Sequence, residues 1–190
     1  MLSVKERKAK LKDLGYGYSP EEIKRFQKAY MLRRKDWDGI YGPDTDKVLQ
    51  HVWNVKHYCN PKNFKPEEFR CECGGKCCSG YPDYMKPHQL MHIQAIRDHY
   101  GVPMIITCGL RCKAQNKKLN GSISNSKHMT GQATDFYMKG VTDTLPNRKS
   151  AIRWIKTQPF HTYTYGNGIN SYGSRVSAPY MGNALHTDTK

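Results

Sequence analysis

The order in which helix and strand signals fall along the chain limits its fold more than any other feature. Up to residue 55 every signal is helical. "SVKE" (from Ser3) and "SPEE" (from Ser19) both carry the Ser-x-x-Glu pattern of a capping box, and Pro20 falls at a first helical position, where a missing N–H costs nothing. Ile23, Phe26 and Tyr30 then share one face at spacings of three and four. Turn signals follow at Asp38-Gly39 and Gly42-Pro43, after which Asp44 or Thr45 is placed to cap a third helix with Val48, Leu49 and Val52 inward. Beyond residue 66 the signals mix. "YMKPHQLMHIQAIRDHYG" reads as a helix with Leu90, Ile93 and Ile96 as its apolar stripe and Gly101 as its stop. "VPMIITCG" reads as a short buried strand and "GQATDFYM" as an alternating one. "PNRKSAIRWIKTQ" is an amphipathic helix closed by Pro159, and "HTYTYG" and "NALHTDT" are strand-like. No regular βαβ rhythm appears, so the expected class is α+β. The expected organisation is a small three-helix N-terminal domain (1–55), a polar linker with two prolines (56–66), and an α+β domain with a small antiparallel sheet (67–190).

Charge narrows the partners. The chain carries 31 Lys+Arg against 16 Asp+Glu, a formal +15. Residues 1–55 hold 12 basic and 8 acidic side chains (+4), leaving 19 and 8 (+11) for the rest. Such a field attracts nucleic acid, anionic lipid, or a bacterial wall rich in carboxylate and phosphate. No nucleic-acid-binding motif accompanies the charge, so nucleic acid is not expected as a partner. No apolar run of about 18 residues exists, so no membrane insertion is expected. The start, "MLSVKERKAKLKDLGYG", has no apolar h-region. A protein made in a host cytoplasm without a signal peptide, and acting on its target after release, is the expectation. The cysteines, Cys59, Cys71, Cys73, Cys77, Cys78, Cys108 and Cys112, are odd in number, so in the expected monomer at least one stays unpaired.

Two segments carry possible metal chemistry. In "SNSKHMTGQATDF", His128 and Asp135 lie seven positions apart. A straight strand would separate them by roughly 23 Å and a helix by about 10 Å, so both reach one ion only if the chain turns back between them, as Gly131 permits. In the C-terminal "NALHTDTK", His186 adds a second imidazole and Asp188 lies two positions on, on the same strand face. A His-Asp-His set with an open fourth position is the pattern of a catalytic zinc site. Upstream, "TCGLRCKAQN" displays Arg111 on a turn after a strand, and a guanidinium fork suits a carboxylate. "HQLMH" puts His88 and His92 one helical turn apart but lacks the glutamate of a zinc-protease helix, and reads as a packing pair. "CECGGKCC" gathers Cys71, Cys73, Cys77 and Cys78, and Cys112 could join them. A second structural zinc, disulfides and free thiols all remain open for this run.

Two resemblances cover most of the chain. "IKRFQKAYML" followed by "DGIYGPDTDKVL" resembles the peptidoglycan-binding domain of bacterial wall hydrolases, which pairs a Phe-Gln helix with an Asp-Gly-x-x-Gly-Pro turn and a Thr-initiated helix. From about Phe64 to Thr189 the chain resembles the zinc D-alanyl-D-alanine carboxypeptidase and endopeptidase family. Its "Ser-x-His-x-x-Gly-x-Ala-x-Asp" segment is matched by Ser126, His128, Gly131, Ala133 and Asp135, and its late "His-x-Asp" by His186 and Asp188. Its "Ser-Gly-x-Arg" turn is matched by Cys108, Gly109, Leu110 and Arg111, with cysteine in place of serine. The resemblance implies Zn held by His128, Asp135 and His186, Arg111 as a catalytic and substrate-binding residue, and Ser126 as a further substrate contact. Many members place an acid three residues before the last histidine, where this chain has Asn183. Asp188, the nearest remaining carboxylate, is then the expected catalytic base, with an orienting role on His186 as the other reading. The implied function is a phage-type endolysin: a zinc peptidase that cuts a peptide bond in bacterial peptidoglycan. A wall-maintenance D,D-carboxypeptidase and a non-catalytic wall-binding protein are the alternatives.

Overall fold

The computed structural model describes residues 1–119 and 122–190. Its helices are α1 (Val4–Asp13), α2 (Pro20–Tyr30), α3 (Pro43–Tyr58), α4 (Pro87–Tyr100), the short α5 (Lys113–Asn116) and α6 (Leu145–Ile155). Its strands are β1 (Ile105–Cys108), β2 (Ala133–Tyr137), β3 (His161–Gly166), β4 (Ile169–Asn170) and β5 (Leu185–Thr189). They form one antiparallel sheet in the order β1-β2-β5-β3-β4, so the class is α+β. None of the described helices is long and apolar enough to cross a membrane.

The caps follow from local chemistry, with two departures from the sequence reading. At α1 the full capping box forms: Ser3 accepts from the Glu6 N–H and Glu6 accepts from the Ser3 N–H at 2.8 Å. At α2 Ser19 accepts from the Glu22 N–H, but the Glu22 carboxylate turns to the Gly17 N–H (2.9 Å) and to Arg25 (2.6 Å), so only half the box exists. Helix α3 starts at Pro43 with Gly42 before it, and neither Asp44 nor Thr45 caps it. Thr45 is buried and accepts from Gln27 Nε2 at 3.1 Å. That same amide donates to Asp38 Oδ1 and the Ile40 carbonyl, and Gln27 Oε1 accepts from the Gly39 N–H at 2.8 Å. One buried glutamine thus clamps the Asp-Gly turn. Gly39 is required there, because its φ is +77° and a Cβ would lie 2.7 Å from the Pro20 carbonyl oxygen.

Helix α3 runs on to Tyr58, so the segment expected as a linker begins inside a helix. Its inner face joins the rest of the chain: His51 Nε2 donates to the Pro66 carbonyl (2.9 Å), His51 Nδ1 accepts from the Met85 N–H (3.3 Å), and Asn54 donates to the Met85 carbonyl (3.0 Å). The main apolar core runs from Leu11, Phe26 and Leu49 through Phe64, Phe69, Leu90 and Ile93 to Phe136 and Leu185.

Strand β1 is the sheet edge, with Ile105 56% exposed, so the expectation of a buried strand does not hold; β2 is buried along Ala133–Phe136 instead of alternating. One sheet face is covered by α4, against β2 and β5, and by α6, against β3 and β4; His99 stacks on Trp154 where the helices meet. On that face His92 and Gln89 bond Thr187, which also bonds Thr164.

Burial pushes His51 and His92 down to about 4. In the unfolded chain each ring takes its proton near 6.5, so between pH 6.5 and 4 the unfolded state binds more protons and folding loses up to about 1.4 kcal/mol per pH unit per ring. Denaturant unfolding of chelator-treated protein is expected to show stability falling steeply from pH 6.5 to 4.5, and His51→Gln is expected to reduce that slope by about half. An unchanged slope in the variant removes His51 from this account.

Candidate metal centre

Strand register assembles the centre. Asp135 on β2 stands directly opposite His186 on β5, Cys108 on β1 lies opposite Asp135, and Tyr165 on β3 lies opposite His186. One row across four strands therefore carries Cys108, Asp135, His186 and Tyr165. The next row carries Ala133, Asp188 and Tyr163. This face is left open by the helices.

His128 arrives from outside the sheet, on the helical turn Lys127–Met129. Between it and β2 the chain reverses at Gly131, whose φ is +72° and whose added Cβ would lie 2.0 Å from the Tyr84 carbonyl oxygen. The Gly131 carbonyl in turn accepts from the Lys86 N–H at 2.9 Å. The expected turn-back is present, and its cause is both backbone conformation and close packing against residues 84–86. Gly109 plays a related part, since a Cβ there would meet the Phe69 backbone at 2.6 Å.

The donor atoms converge. His128 Nε2 lies 3.2 Å from His186 Nδ1 and 3.3 Å from Asp135 Oδ1, and His186 Nδ1 lies 2.7 Å from Asp135 Oδ1. Ligands held about 2.0–2.1 Å from a tetrahedral zinc stand about 3.3 Å apart, so the set fits one ion. The outer ring nitrogens are also assigned work. His128 Nδ1 donates to the Gly109 carbonyl at 2.8 Å, and His186 Nε2 faces Asp188 Oδ2 at 3.4 Å. These bonds put protons on the far nitrogens and lone pairs toward the cluster. All three residues are buried.

Electrostatics points the same way. Burial disfavours charge on His128, but the Asp135 carboxylate outweighs it and pushes the ring up to about 10. Burial likewise opposes the Asp135 charge, and His128 and His186 overcome it, holding the carboxyl well below the usual range. A buried carboxylate with this setting calls for a cation, whether a proton on His128 or a metal ion. Burial would also raise Asp188, but His186, Thr162 and Lys127 hold it low. Its Oδ1 accepts from Lys127 Nζ (3.1 Å) and from the Thr162 hydroxyl.

The cluster lies in a cleft of about 790 Å³ that Arg111, Ser126, Tyr163, Tyr165 and Tyr180 help to line. Arg111 donates from Nη2 to Cys108 Sγ (3.1 Å) and from Nη1 to Asn116 Oδ1 (3.3 Å), while its buried Nε has no partner among the described residues. Cys108, at the position where the resembling family carries serine, brings its sulfur within 4.8 Å of donor atoms of His128 and Asp135. Its place at the centre and that of Thr162 were missed in the sequence because only strand pairing creates them, and that of Lys127 because the turn carrying His128 must first fold onto the sheet. Asn183 does not line the cleft; its amide oxygen accepts from Arg148 at 3.3 Å. His88 stacks on Phe160 and His92 bonds Thr187, so that pair does not converge on one ion.

An α+β scaffold with a buried His-Asp-His donor set beside an open cleft has the donor chemistry of a catalytic zinc site. The Peptidase M15 family model matches residues 62–169, more than half of the chain, and the protein belongs to that family. It is thus a metallopeptidase by family, and such peptidases are typically zinc-dependent. The matched segment includes Arg111, His128 and Asp135 and ends before β5. A comparison with curated proteins finds no match.

Gly131→Ala is expected to weaken zinc binding at least tenfold in calorimetric titration, because the Cβ clash must move the reversal that carries His128. Gly140→Ala supplies the control: its φ of +80° is equally strained, but nothing lies within 4 Å of the added Cβ. It is expected to cost roughly 1–3 kcal/mol of stability and to leave zinc affinity unchanged.

Proposed function

We propose that the protein is a zinc-dependent peptidoglycan peptidase of the endolysin type, which hydrolyses a peptide bond in the stem or cross-link of the bacterial cell wall. The observation that carries this is the convergence of His128, Asp135 and His186 to 2.7–3.3 Å, with both outer imidazole nitrogens already bonded, in a chain of the M15 family. A zinc ion held by these residues supplies Lewis acidity toward the scissile carbonyl and a nucleophilic water at neutral pH.

The remaining roles fall to the chain's own side chains. Arg111, on the cleft wall, anchors a carboxylate of the stem peptide. Ser126 offers its hydroxyl to the bound peptide from the cleft wall. Asp188 orients His186: it meets the ring nitrogen that faces away from the cluster, and its other oxygen is taken by Lys127 and Thr162. That arrangement supports the orienting role over proton transfer. Glu72, the other carboxylate on the cleft wall besides Asp135 and Asp188, makes no side-chain hydrogen bond among the described residues and is left free to move a proton. The N-terminal helices, with their glutamine-clamped Asp-Gly turn, act as the wall-binding part, and the +15 charge suits an anionic wall.

Purified sacculi are expected to be solubilised by the protein, with activity abolished by chelator and by His128→Ala and restored to the wild type by zinc. Activity indifferent to both overturns the reading in favour of a wall-binding protein without catalysis. Mass spectrometry of the products separates the bond types: a new internal end marks the endopeptidase, and loss of terminal D-Ala alone marks a D,D-carboxypeptidase. Asp188→Asn is expected to lower zinc affinity about 10–100-fold and, at saturating zinc, to keep the acidic limb of the kcat/KM profile. Loss of that limb at full metal loading would return proton transfer to Asp188.

A further inference from the structure

A second cluster of metal-type donors lies apart from the His-Asp-His site. The sulfurs of Cys71, Cys73, Cys78 and Cys112 all lie within 4.8 Å of one another, and those of Cys73 and Cys78 are 3.4 Å apart. Four sulfurs about 2.3 Å from one tetrahedral zinc stand about 3.8 Å from each other, so the observed grouping is already close to a coordination shell. Cys71, Cys73 and Cys112 are buried and form their own small cluster, separate from the main core, with Cys78 against it. None of the four is in a disulfide.

The backbone is shaped to present these sulfurs. Gly74 and Gly75, with φ of +60° and +84°, reverse the chain between Cys73 and Cys78. The loop is closed by the Cys71 N–H donating to the Gly80 carbonyl at 2.9 Å. Two sulfurs accept backbone N–H groups, Cys71 from Cys112 (3.3 Å) and Cys112 from Gln115 (3.4 Å). Bonds of this kind favour thiolate over thiol. The neighbouring Cys77 is exposed and stays out of the cluster, as does the buried Cys59, whose sulfur faces the Leu90 carbonyl.

We propose that Cys71, Cys73, Cys78 and Cys112 bind a second metal ion, a structural zinc, which fastens the arginine turn to the cysteine loop. All-thiolate tetrahedral donors select zinc among common divalent ions, and the closed four-ligand set leaves no position for substrate. Binding releases each thiol proton still present as the thiolates take up the metal. The site ties down both charged groups at one rim of the cleft: Glu72 sits between two of its ligands, and Arg111 directly precedes a third. The same loop meets the end of α2, since the Leu32 N–H donates to the Ser79 carbonyl at 2.9 Å and Leu32 packs against Gly75 and Gly80. The metal would therefore hold residues 32, 71–80 and 112 in one arrangement. The proposal does not depend on the peptidase reading.

The test uses full-length protein purified with reductant, then freed of loosely bound metal. Elemental analysis is expected to find two zinc ions per chain in the wild type and one in His128→Ala. Replacement by Co(II) is expected to give thiolate-to-cobalt charge-transfer absorption that His128→Ala retains and Cys78→Ser loses. The use of His128→Ala excludes Cys108 as the source of that band. One zinc in the wild type and none in His128→Ala overturns the proposal, even if the cysteine variant does not fold. So does alkylation of the native protein showing the four thiols consumed in disulfides.

Discussion

The pairing of β2 with β5 is the constraint on which the centre depends. Opposite partners in an antiparallel ladder share a face, and their Cβ atoms lie about 4.5–5.5 Å apart. With Asp135 across from His186, a carboxylate and an imidazole more than fifty residues apart in the chain meet without a loop needing to bring them together. A slip of one residue would send Asp135 and His186 to opposite faces of the sheet. The helix-covered face guards against this slip, because Thr134 and Thr187 are bonded there by Gln89 and Thr187 also by His92. A polar network behind the sheet thus specifies the register that the front face uses. It is a costly device, since each buried polar group needs its partner, and Gln89 Oε1 and His92 Nδ1 have none among the described residues.

How much of this was legible in the sequence depends on the range of the interaction. Local signals held where one turn of chain decides the outcome: the Ser3 box, Pro20 at the start of α2, and Gly101 in left-handed conformation after α4. They failed where a distant side chain competes. Glu22 prefers Gly17 and Arg25 to its own cap, and Thr45 is drawn into the core by Gln27. The alternation expected of β2 is lost because both faces of the strand are covered, one by helices and the other by the cluster itself. Gly131 could be recognised as a bend. Its second reason, the Tyr84 carbonyl pressed against it, belongs to the tertiary structure alone. The same holds for Cys108, which reads as a simple replacement of serine until β1 sets it beside Asp135.

The relation between the first three helices and the rest also rests on a few buried contacts. His51 sits on α3 yet is bonded to Pro66 and Met85, using one nitrogen as donor and the other as acceptor. A neutral ring satisfies both partners, whereas a protonated one would turn a second N–H toward the Met85 N–H. Burial is what depresses the ring, and the two bonds couple the helical part to the turn ahead of α4. Tyr84, in the same short segment, packs against Gly131. Two buried contacts therefore lead from α3 to the reversal that carries His128.

The charges at the cleft floor suggest what it receives. Asp188 is matched by Lys127 at 3.1 Å, so that pair contributes no net charge. Asp135 is faced by Arg111 at 3.9 Å and by two imidazoles. With both imidazoles neutral and a divalent cation in place, the sum over Asp135, Arg111 and the ion is +2. Water has little access to these buried groups, so with the proposed zinc bound the charge would be poorly screened, which supports the proposed anchoring of a carboxylate. A peptide terminus or side-chain carboxylate suits this setting better than a neutral chain does, and three tyrosines on the cleft wall offer apolar surface for the remainder of such a peptide. The preference arises from the distribution of a few buried groups, and the excess of surface lysine and arginine adds only long-range attraction to it.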